Sequence, residues 1–515
     1  MLLVVAANSS RAGNAADTSS PTTASPPVVV GSKQFTESVI LGEMVVQAIR
    51  AGGDDATHRQ QLGGTRIVYG ALQRGEIDVY PEYTGTLRQE IFAGRDAATD
   101  DDLRRLLRED GIVMSKPLGF NNSYALAAPR DLAERLGVAT ISDLARRPEL
   151  RLGLSNEFLD RGDGWQNLRQ HYGLPHEARG MVHEFAYQQL KAGAIDVTDV
   201  YTTDAQLAES DLVVLKDDRD YFPSYDAVLL MRADLEERYP RAARQIALLE
   251  SQLDERDVIQ LNALVQSGEA NESQAAAQFL TKKSNIAARA ENPALAARIW
   301  RSTLEHLALV GQSLTPAILV AVPLGVLAAK LPRVGRVILG VVGIVQTIPA
   351  LALLVLLMAP VAFLRLDTLG AGSATAIAAL FLYSLLPVVQ NTATGLATIP
   401  PEYRESAAAL GLSPRFRLLR IELPLASPSI LAGVKTAAVL NVGFATLGAL
   451  VGAGGYGQPI LSGIRLDRTA LILEGAVPAA CLAILLQVAF EVGERWLLPA
   501  GLRTIVARKG DESNH

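Results

Sequence analysis

Two hydrophobicity regimes divide the chain. Up to about Thr281 apolar and charged residues interleave, and from about Leu307 long apolar stretches dominate. In the first regime VVVGSKQFTESVILGEMVVQAIRAG (Val28 to Gly52) predicts a strand, a turn and an amphipathic helix, with apolar residues at Val39, Ile40, Met44, Val45 and Ile49. Strand–helix alternation runs on to about Leu280, which predicts parallel sheets. The second regime holds five apolar stretches, at about 307–329, 336–358, 373–397, 428–452 and 470–492. A hydrocarbon core about 30 Å thick needs roughly 20 residues at 1.5 Å each, so each stretch predicts a membrane-spanning helix. Soluble cores rarely need five such runs in succession.

One layout occurs twice. GEIDVYPEYTGT (Gly75 to Thr86) and GAIDVTDVYTTD (Gly193 to Asp204) share seven residues at an offset of 118: Leu72, Gly75, Ile77, Asp78, Val79, Tyr83 and Thr84 match Leu190, Gly193, Ile195, Asp196, Val197, Tyr201 and Thr202. The repeat predicts two similar halves with buried IDV strands. Ligands sit beyond the C-terminal strand ends of such sheets, which places Tyr83 and Tyr201 at a shared cleft. FNNSYALA puts Tyr124 after a polar turn, and DYFPSYDAVLL puts Tyr225 before an apolar run. A tyrosine ring face attracts a quaternary ammonium, which has no N–H to hydrogen-bond. Among 13 tyrosines four in loops is ordinary, and singly each reads as a half-buried core residue.

Loop charges orient the membrane half. Lys330, Arg333 and Arg336 follow the first stretch, Arg404, Arg415, Arg417 and Arg420 the third, and Arg503, Arg508 and Lys509 the last. The second loop sets Arg365 against Asp367, and the fourth Arg465 and Arg468 against Asp467. The first, third and last segments are therefore expected in the cytoplasm, with everything before Leu307 outside. An exported half needs a signal, yet MLLVVAA lacks a basic flank and is short. A truncated signal, or else a weak one, is expected, followed by a spacer rich in Ser, Thr, Ala and Pro. The expected division is 1–27 signal and spacer, 28–283 soluble domain, 284–299 linker around Pro293, and 300–510 membrane domain.

Composition excludes several functions. The net charge of −6, without a basic cluster among aromatics, argues against nucleic acid. The single cysteine, Cys481, excludes disulfides and a cysteine zinc site. The histidines, among them His171, His176, His183 and His306, show no metal spacing, Asp101 and Asp102 suit a solvated helix start, and no GxSxG elbow occurs. GAGGYG (Gly452 to Gly457) satisfies GxGxxG but follows an apolar span instead of a strand, and no GxxxxGK[ST] loop is present. Neither a cofactor, a metal site nor a catalytic constellation is expected, so any ATP-derived energy must come from a partner.

PPEYRESAAALGLSPRFRLLRIELP (Pro400 to Pro424) predicts a short helix of small residues broken at Gly411, which alone suits an ordinary amphipathic connector. Glu405, Ala407 and Gly411, then nine residues to Ile421 and Leu423-Pro424, resemble the EAA motif of ABC importer permeases, with Ser406 at the usual second alanine. QNTATGLATIP, LPLASPSILAGVKTA and ATLGALVGAGGYGQPI extend the resemblance, over about 300–495, to permeases of the quaternary-amine, or osmoprotectant, uptake family. It implies that Glu405, Ala407 and Gly411 couple to a separate cytoplasmic ATPase, and that two copies pair because each carries one such loop.

GSKQFTES, DVYPEYTGT, NNSYALA, SNEFLDRGDG, DVYTTDA and FPSYDAVLL together resemble the glycine betaine/choline/carnitine-binding family over about 28–283. The resemblance implies an α/β two-lobed type II periplasmic binding fold, followed here by an all-α membrane ABC permease domain. It implies an aromatic box of Tyr83, Tyr124, Tyr201 and Tyr225 around a trimethylammonium, and a carboxylate clamp of Lys33, Thr86 and Arg161. Cation–π contacts at about 0.5–2 kcal/mol each and charge-assisted hydrogen bonds at about 1.5–3 kcal/mol each put micromolar binding, about −8 kcal/mol, within reach. Choline would leave the two clamp cations poorly paired, so a zwitterion such as glycine betaine or carnitine is expected. The chain is thus expected to be a multi-pass membrane subunit of an ATP-driven importer, its binding domain outside and its C-terminus in the cytoplasm. Two rivals remain: a membrane-tethered sensor that binds without transporting, and the same importer for a different small cation or zwitterion.

Overall fold

The structure, a computed structural model, describes residues 26–209, 211–363, 371–466 and 468–497. The leader (1–25), Arg365, Asp367, Asp467 and the basic tail at Arg503, Arg508 and Lys509 lie outside the described residues.

The first lobe starts with β1 (Val28–Gly31), α1 (Thr36–Ala51), β2 (Ala56–Arg59), α2 (Thr65–Gln73), β3 (Val79–Tyr83) and β4 (Ile112–Met114). The second comprises β5 (Tyr124–Pro129), β6 (Leu152–Ser155), β7 (Ala178–Met181), α3 (His183–Lys191), β8 (Thr198–Tyr201) and β9 (Leu212–Leu215). The chain then returns to the first lobe as β10 (Ala227–Arg232) and closes it with helices that include α4 (Glu255–Ser267). The first sheet runs β2-β1-β3-β10-β4 and the second β8-β5-β9, with β6 and β7 as a separate pair. α1 is buried almost throughout because it lies between the first sheet and an outer layer that brings Ile246, Val258, Leu261 and Phe279 into the same core.

The sheets are mixed instead of wholly parallel. β1 pairs parallel with β2 and β3, but β10 runs antiparallel to β3 and β4, and β5 antiparallel to β8 and β9. β5 and β10 are the strands on which the chain enters a lobe, and no crossover helix precedes either to reverse direction. The two crossing segments lie side by side: Asn121 bridges Asp226, and the Tyr225 N–H donates to Asn121 Oδ1 at 2.6 Å.

The repeated layout has one structural role in both lobes. Gly75 and Gly193 sit at φ +73° and +66°, where a side chain would be strained, and turn α2 and α3 towards their strands. Ile77 and Ile195 are buried. Asp78 Oδ2 accepts from the Val29 N–H at 2.9 Å, and Asp196 Oδ2 from the Arg151 N–H at 2.8 Å, so each aspartate ties its segment to a neighbouring strand's entry. The strands begin at Val79 and Thr198, slightly later than the IDV runs predict.

The helical half consists of α5 (Leu295–Lys330), α6 (Pro332–Thr347), α7 (Ala350–Phe363), α8 (Ala371–Ala397), α9 (Pro401–Ala409), α10 (Leu423–Ala445), α11 (Gly457–Arg465) and α12 (Thr469–Leu497). Among the described residues four helical segments are long and apolar enough to cross a membrane, and five if α6 and α7, bent by 98°, count as one crossing. The second apolar stretch is therefore broken. Ile348 adopts φ −70°, ψ 127°, because Pro349 disfavours a helical residue before it. α5, α8 and α10 form the bundle centre, where Asn441 donates to Ser313 Oγ at 3.1 Å and Ser384 Oγ at 2.8 Å.

The α/β half rests on one end of this bundle. Gln34 donates to the Leu450 carbonyl at 3.0 Å, Gln61 to Ser462 Oγ at 2.9 Å, and Gln458 to the Gln60 carbonyl at 3.1 Å. GAGGYG lies in this contact. Gly452, at φ +73°, comes so close to Leu62 that a Cβ would stand 2.1 Å from its carbonyl oxygen. A cavity of about 490 Å³ remains beside it, with Glu43, His58 and Arg59 on one side and Arg301, Glu305 and Gln458 on the other.

Candidate functional site

The cleft between the lobes gathers the four tyrosines from four strand ends. Tyr83 ends β3, Tyr201 ends β8, Tyr124 opens β5 on leaving one crossing segment, and Tyr225 stands two residues before β10 on the other. β5 and β8 pair with Tyr124 opposite Tyr201, which sets their ring centroids 4.8 Å apart and their hydroxyls 3.0 Å apart. Tyr225 meets Tyr124 edge-on at 6.3 Å. Its ring also covers Gly85, where a Cβ would come within 2.4 Å of it. Tyr83 lies across the β3–β10 pair and joins the group through polar neighbours. Phe158 stacks on Tyr124 at 5.1 Å, and Phe35 tilts against Tyr83 at 6.0 Å. Both phenylalanines lie in the quoted motifs, but their contacts were not legible there.

A polar knot fastens the tyrosines. Glu37, buried at the start of α1, accepts from the Tyr83 hydroxyl, from Asn122 at 3.0 Å and from Asn262 of α4 at 3.3 Å. Burial raises its carboxyl above the usual range, against these donors and Thr203, which lower it. Burial also pushes the Tyr83 and Tyr201 phenols well up, so both remain neutral donors. Tyr201 donates to Glu157 Oε2 at 3.2 Å, and its N–H donates to Asp204 at 2.8 Å. His183 lies 5.0 Å from the Tyr201 ring. Burial would lower its pKa, but the carboxylates of Asp204, 3.1 Å from Nε2, and Asp199, 3.7 Å from Nδ1, outweigh that and raise it well above the usual imidazole value.

Lys33 and Arg161 stand beside the aromatic rings, each already paired with a carboxylate. Lys33 Nζ lies 5.4 Å from the Tyr83 ring centroid and is bonded to Glu82, a residue with no exposed surface. Arg161 lies 5.3 Å from the Tyr124 ring. Its Nε and Nη2 bind both oxygens of Asp163 at 2.7 and 2.9 Å, Nη1 binds Glu90 at 2.9 Å, and Nη2 reaches the Tyr225 hydroxyl at 3.2 Å. Thr86 is buried in the turn after β3, one residue beyond Gly85. The sequence singled out both cations but not their partners. Glu82 and Asp163 lie inside the quoted motifs, yet only the folded geometry turns them onto Lys33 and Arg161. Among the described residues no cluster of three or more His, Cys, Asp or Glu could hold a metal ion.

Glu405, Ala407 and Gly411 lie together at the other end of the helical half. Ala407 is buried, Glu405 is exposed, and Gly411 turns the chain at φ +72°. Tyr403, Leu410, Phe416 and Leu419 are exposed around them, beside Arg415 and Arg420. Arg404 is anchored to the Leu396 carbonyl and lies 3.8 Å from Glu422.

Comparison with known proteins finds two family matches. Residues 26–282 match the substrate-binding domain of ABC-type glycine betaine transport systems, and residues 321–500 match the inner-membrane component of binding-protein-dependent transport systems. A choline transport system permease protein of Bacillus subtilis is 38% identical over 203 residues, covering 39% of this chain and 90% of its own. A glycine-betaine-binding protein of Pseudomonas aeruginosa is 35% identical over 268 residues, 49% of this chain and 86% of its own. An ergothioneine transport permease and binding protein of Helicobacter pylori is 33% identical over 251 residues, 47% of this chain and 44% of its own. The chain therefore belongs to the ABC transport family of glycine betaine, choline and carnitine systems, with a substrate-binding domain and a membrane permease domain fused in one polypeptide.

Proposed function

We propose that this chain captures a quaternary amine outside the cell and passes it inward through its own permease domain, driven by separate ATPase subunits. The meeting of Tyr124 with Tyr201 at 4.8 Å and with Tyr225 at 6.3 Å, with Tyr83 tied in through Glu37, carries the reading. A cluster of tyrosine rings attracts a positive charge that has no hydrogen to donate. Lys33 and Arg161 stand beside the same rings, 5.4 Å from that of Tyr83 and 5.3 Å from that of Tyr124, and Thr86 follows Gly85, which the Tyr225 ring covers. The lobes close about the crossing segments at Asn121 and Asp226, as a hinged clamp does.

Delivery follows from tethering. Gln34 directly follows Lys33 in sequence and bonds the permease carbonyls at Ala449 and Leu450, so the cleft and the permease end communicate through one short turn. Fusion also keeps the binding domain at high effective concentration. At the opposite end Glu405, Ala407 and Gly411 offer a small-residue surface to the ATPase, and a second copy of the chain completes the permease. The exposed Tyr403, Leu410, Phe416 and Leu419 support this docking role, since a solvated connector has no need of them. The binding domain and the C-terminus then lie on opposite sides of the membrane.

Calorimetric titration of the purified chain with glycine betaine, carnitine and choline, beside a Tyr201→Ala variant, tests the reading. Binding of at least one of them, lost in the variant, is expected. Absence of binding to all three would remove the quaternary-amine substrate.

A further inference from the structure

We propose that Glu82 and Asp163 act as built-in counterions, so that the site prefers a quaternary ammonium cation without a carboxylate over a zwitterion that carries one. The inference rests on the quaternary-amine reading above and narrows its substrate class.

Neither cation is available to a ligand in the way that its bare sequence suggests. Glu82 is held on Lys33 by two further donors, the Tyr80 hydroxyl at 3.0 Å and the Tyr83 N–H at 2.9 Å. A ligand carboxylate arriving at Lys33 would meet a second, immobile carboxylate in a buried place. Arg161 has five N–H donors in a fixed fork. Four of its contacts are made, two to Asp163, one to Glu90 and one to Tyr225, and Glu157 stands 4.0 Å from Nη1. Asp163 occupies the side-on bidentate edge of Nε and Nη2, and Glu90 and Tyr225 each take a donor on the end-on edge of Nη1 and Nη2 that could otherwise pair with a carboxylate.

The surroundings add to this. Among the described residues Lys33, Arg161 and His183 are the cations in contact with the box or its partners. Glu82, Glu90, Glu157, Asp163, Asp199 and Asp204 face them, before Glu37 is counted. A surplus of negative charge in a partly desolvated cleft favours a monocation at the tyrosines and opposes a carboxylate near them.

The test compares ligands of one shape and different charge. The full chain, purified in nanodiscs, is titrated with glycine betaine, with glycine betaine methyl ester, which keeps the trimethylammonium but masks the carboxylate, and with choline. The ester and choline are expected to bind at least tenfold more tightly than glycine betaine. Glu157→Gln removes an exposed carboxylate and is expected to weaken the two cations more than the zwitterion. Glu82→Gln and Asp163→Asn are each expected to narrow the tenfold gap several-fold. Equal or tighter binding of glycine betaine by the wild-type chain overturns the proposal, whether or not a variant folds. A gap that stays unchanged in Asp163→Asn and in a folded Glu82→Gln overturns the assignment to these residues. Binding of none of the three overturns the quaternary-amine reading itself, whereas equal binding of all three overturns only the charge preference.

Discussion

Tyr201 is fixed from several directions, by the Tyr124 hydroxyl, the Glu157 carboxylate and the hold of Asp204 on its backbone N–H. Fixed rings need little ordering when a ligand arrives. Removing one ring should cost its cation–π share, about 0.5–2 kcal/mol, and the packing of Tyr124 and His183 against it. Tyr201→Ala is therefore expected to weaken binding at least tenfold in a titration. Tyr201→Phe keeps the ring and loses only hydroxyl contacts, so it should stay within about threefold of the wild type. A second residue-scale prediction concerns acid. Burial would raise the Glu43 carboxyl, but His58, 2.7 Å from Glu43 Oε1, together with Ser273 and Gln60, holds it down at about 2. A depressed carboxylate stabilises the fold above its unfolded pKa of 4.5, and that stability is lost as pH falls from about 4.5 towards 2. The drop is worth about 3 kcal/mol at 1.36 kcal/mol per pKa unit. Thermal melting of Glu43→Gln across this window should show a flatter acid slope than the wild type, and an equal slope would remove Glu43 from the account. At this scale Tyr83 and Tyr201 were legible because they recur in a repeat, whereas Tyr124 and Tyr225 stood out only through the family's motifs. The ion-pair partners were not, since Lys33 and Glu82 stand 49 positions apart in the chain and nothing local marks them as a pair.

The proposed coupling belongs to the scale of elements. The loop after α9 turns at Gly411 with φ +72°, where a side chain is strained. Gly411→Leu is expected to leave ligand affinity unchanged and to reduce uptake at least tenfold, because the proposed docking surface shifts while the distant cleft does not. Uptake at the wild-type rate would show that the loop is a mere connector. Gly452 makes a parallel case on the other side of the bundle. A Cβ there would stand 2.1 Å from the Leu62 carbonyl oxygen, a backbone atom that cannot swing away. Gly452→Val should separate the binding domain from the permease end, and limited proteolysis near the linker should become faster while titrated affinity holds. GAGGYG thus matches a nucleotide fingerprint only in its letters: Gly452 is used for close approach to the binding domain, and Gly454 and Gly455 for close packing on Glu305 and His306 of α5. Apolar runs made the membrane helices legible, with one exception. Hydropathy is blind to Pro349, so the second run reads as one helix where the chain bends by 98°. The mixed sheet order was missed for a related reason, since alternation of strands and helices does not reveal which strand begins a crossing.

At the scale of the whole molecule, a cleft, a short turn and a bundle end lie in sequence. Lys33 lines the cleft, Gln34 touches the permease carbonyls, and α10 runs from that contact to the loop that carries Glu405 and Gly411. The division into an α/β half and a helical half was plain from the hydropathy change near Leu307, because burial inside a mixed sheet and burial in a membrane demand different patterns. The seating of one half on the other was not, because it depends on Gln34, Gln61 and Gln458, polar residues that any surface could show. The most direct test is uptake of a radiolabelled quaternary amine by cells that supply the partner ATPase and hold the wild-type chain, Tyr201→Ala or Gly411→Leu as the only copy. The account predicts accumulation with the wild type and little with either variant, and the purified Gly411→Leu chain should still bind. Accumulation at the wild-type rate in Tyr201→Ala cells would contradict it, since the aromatic cleft would then not be the entrance to transport.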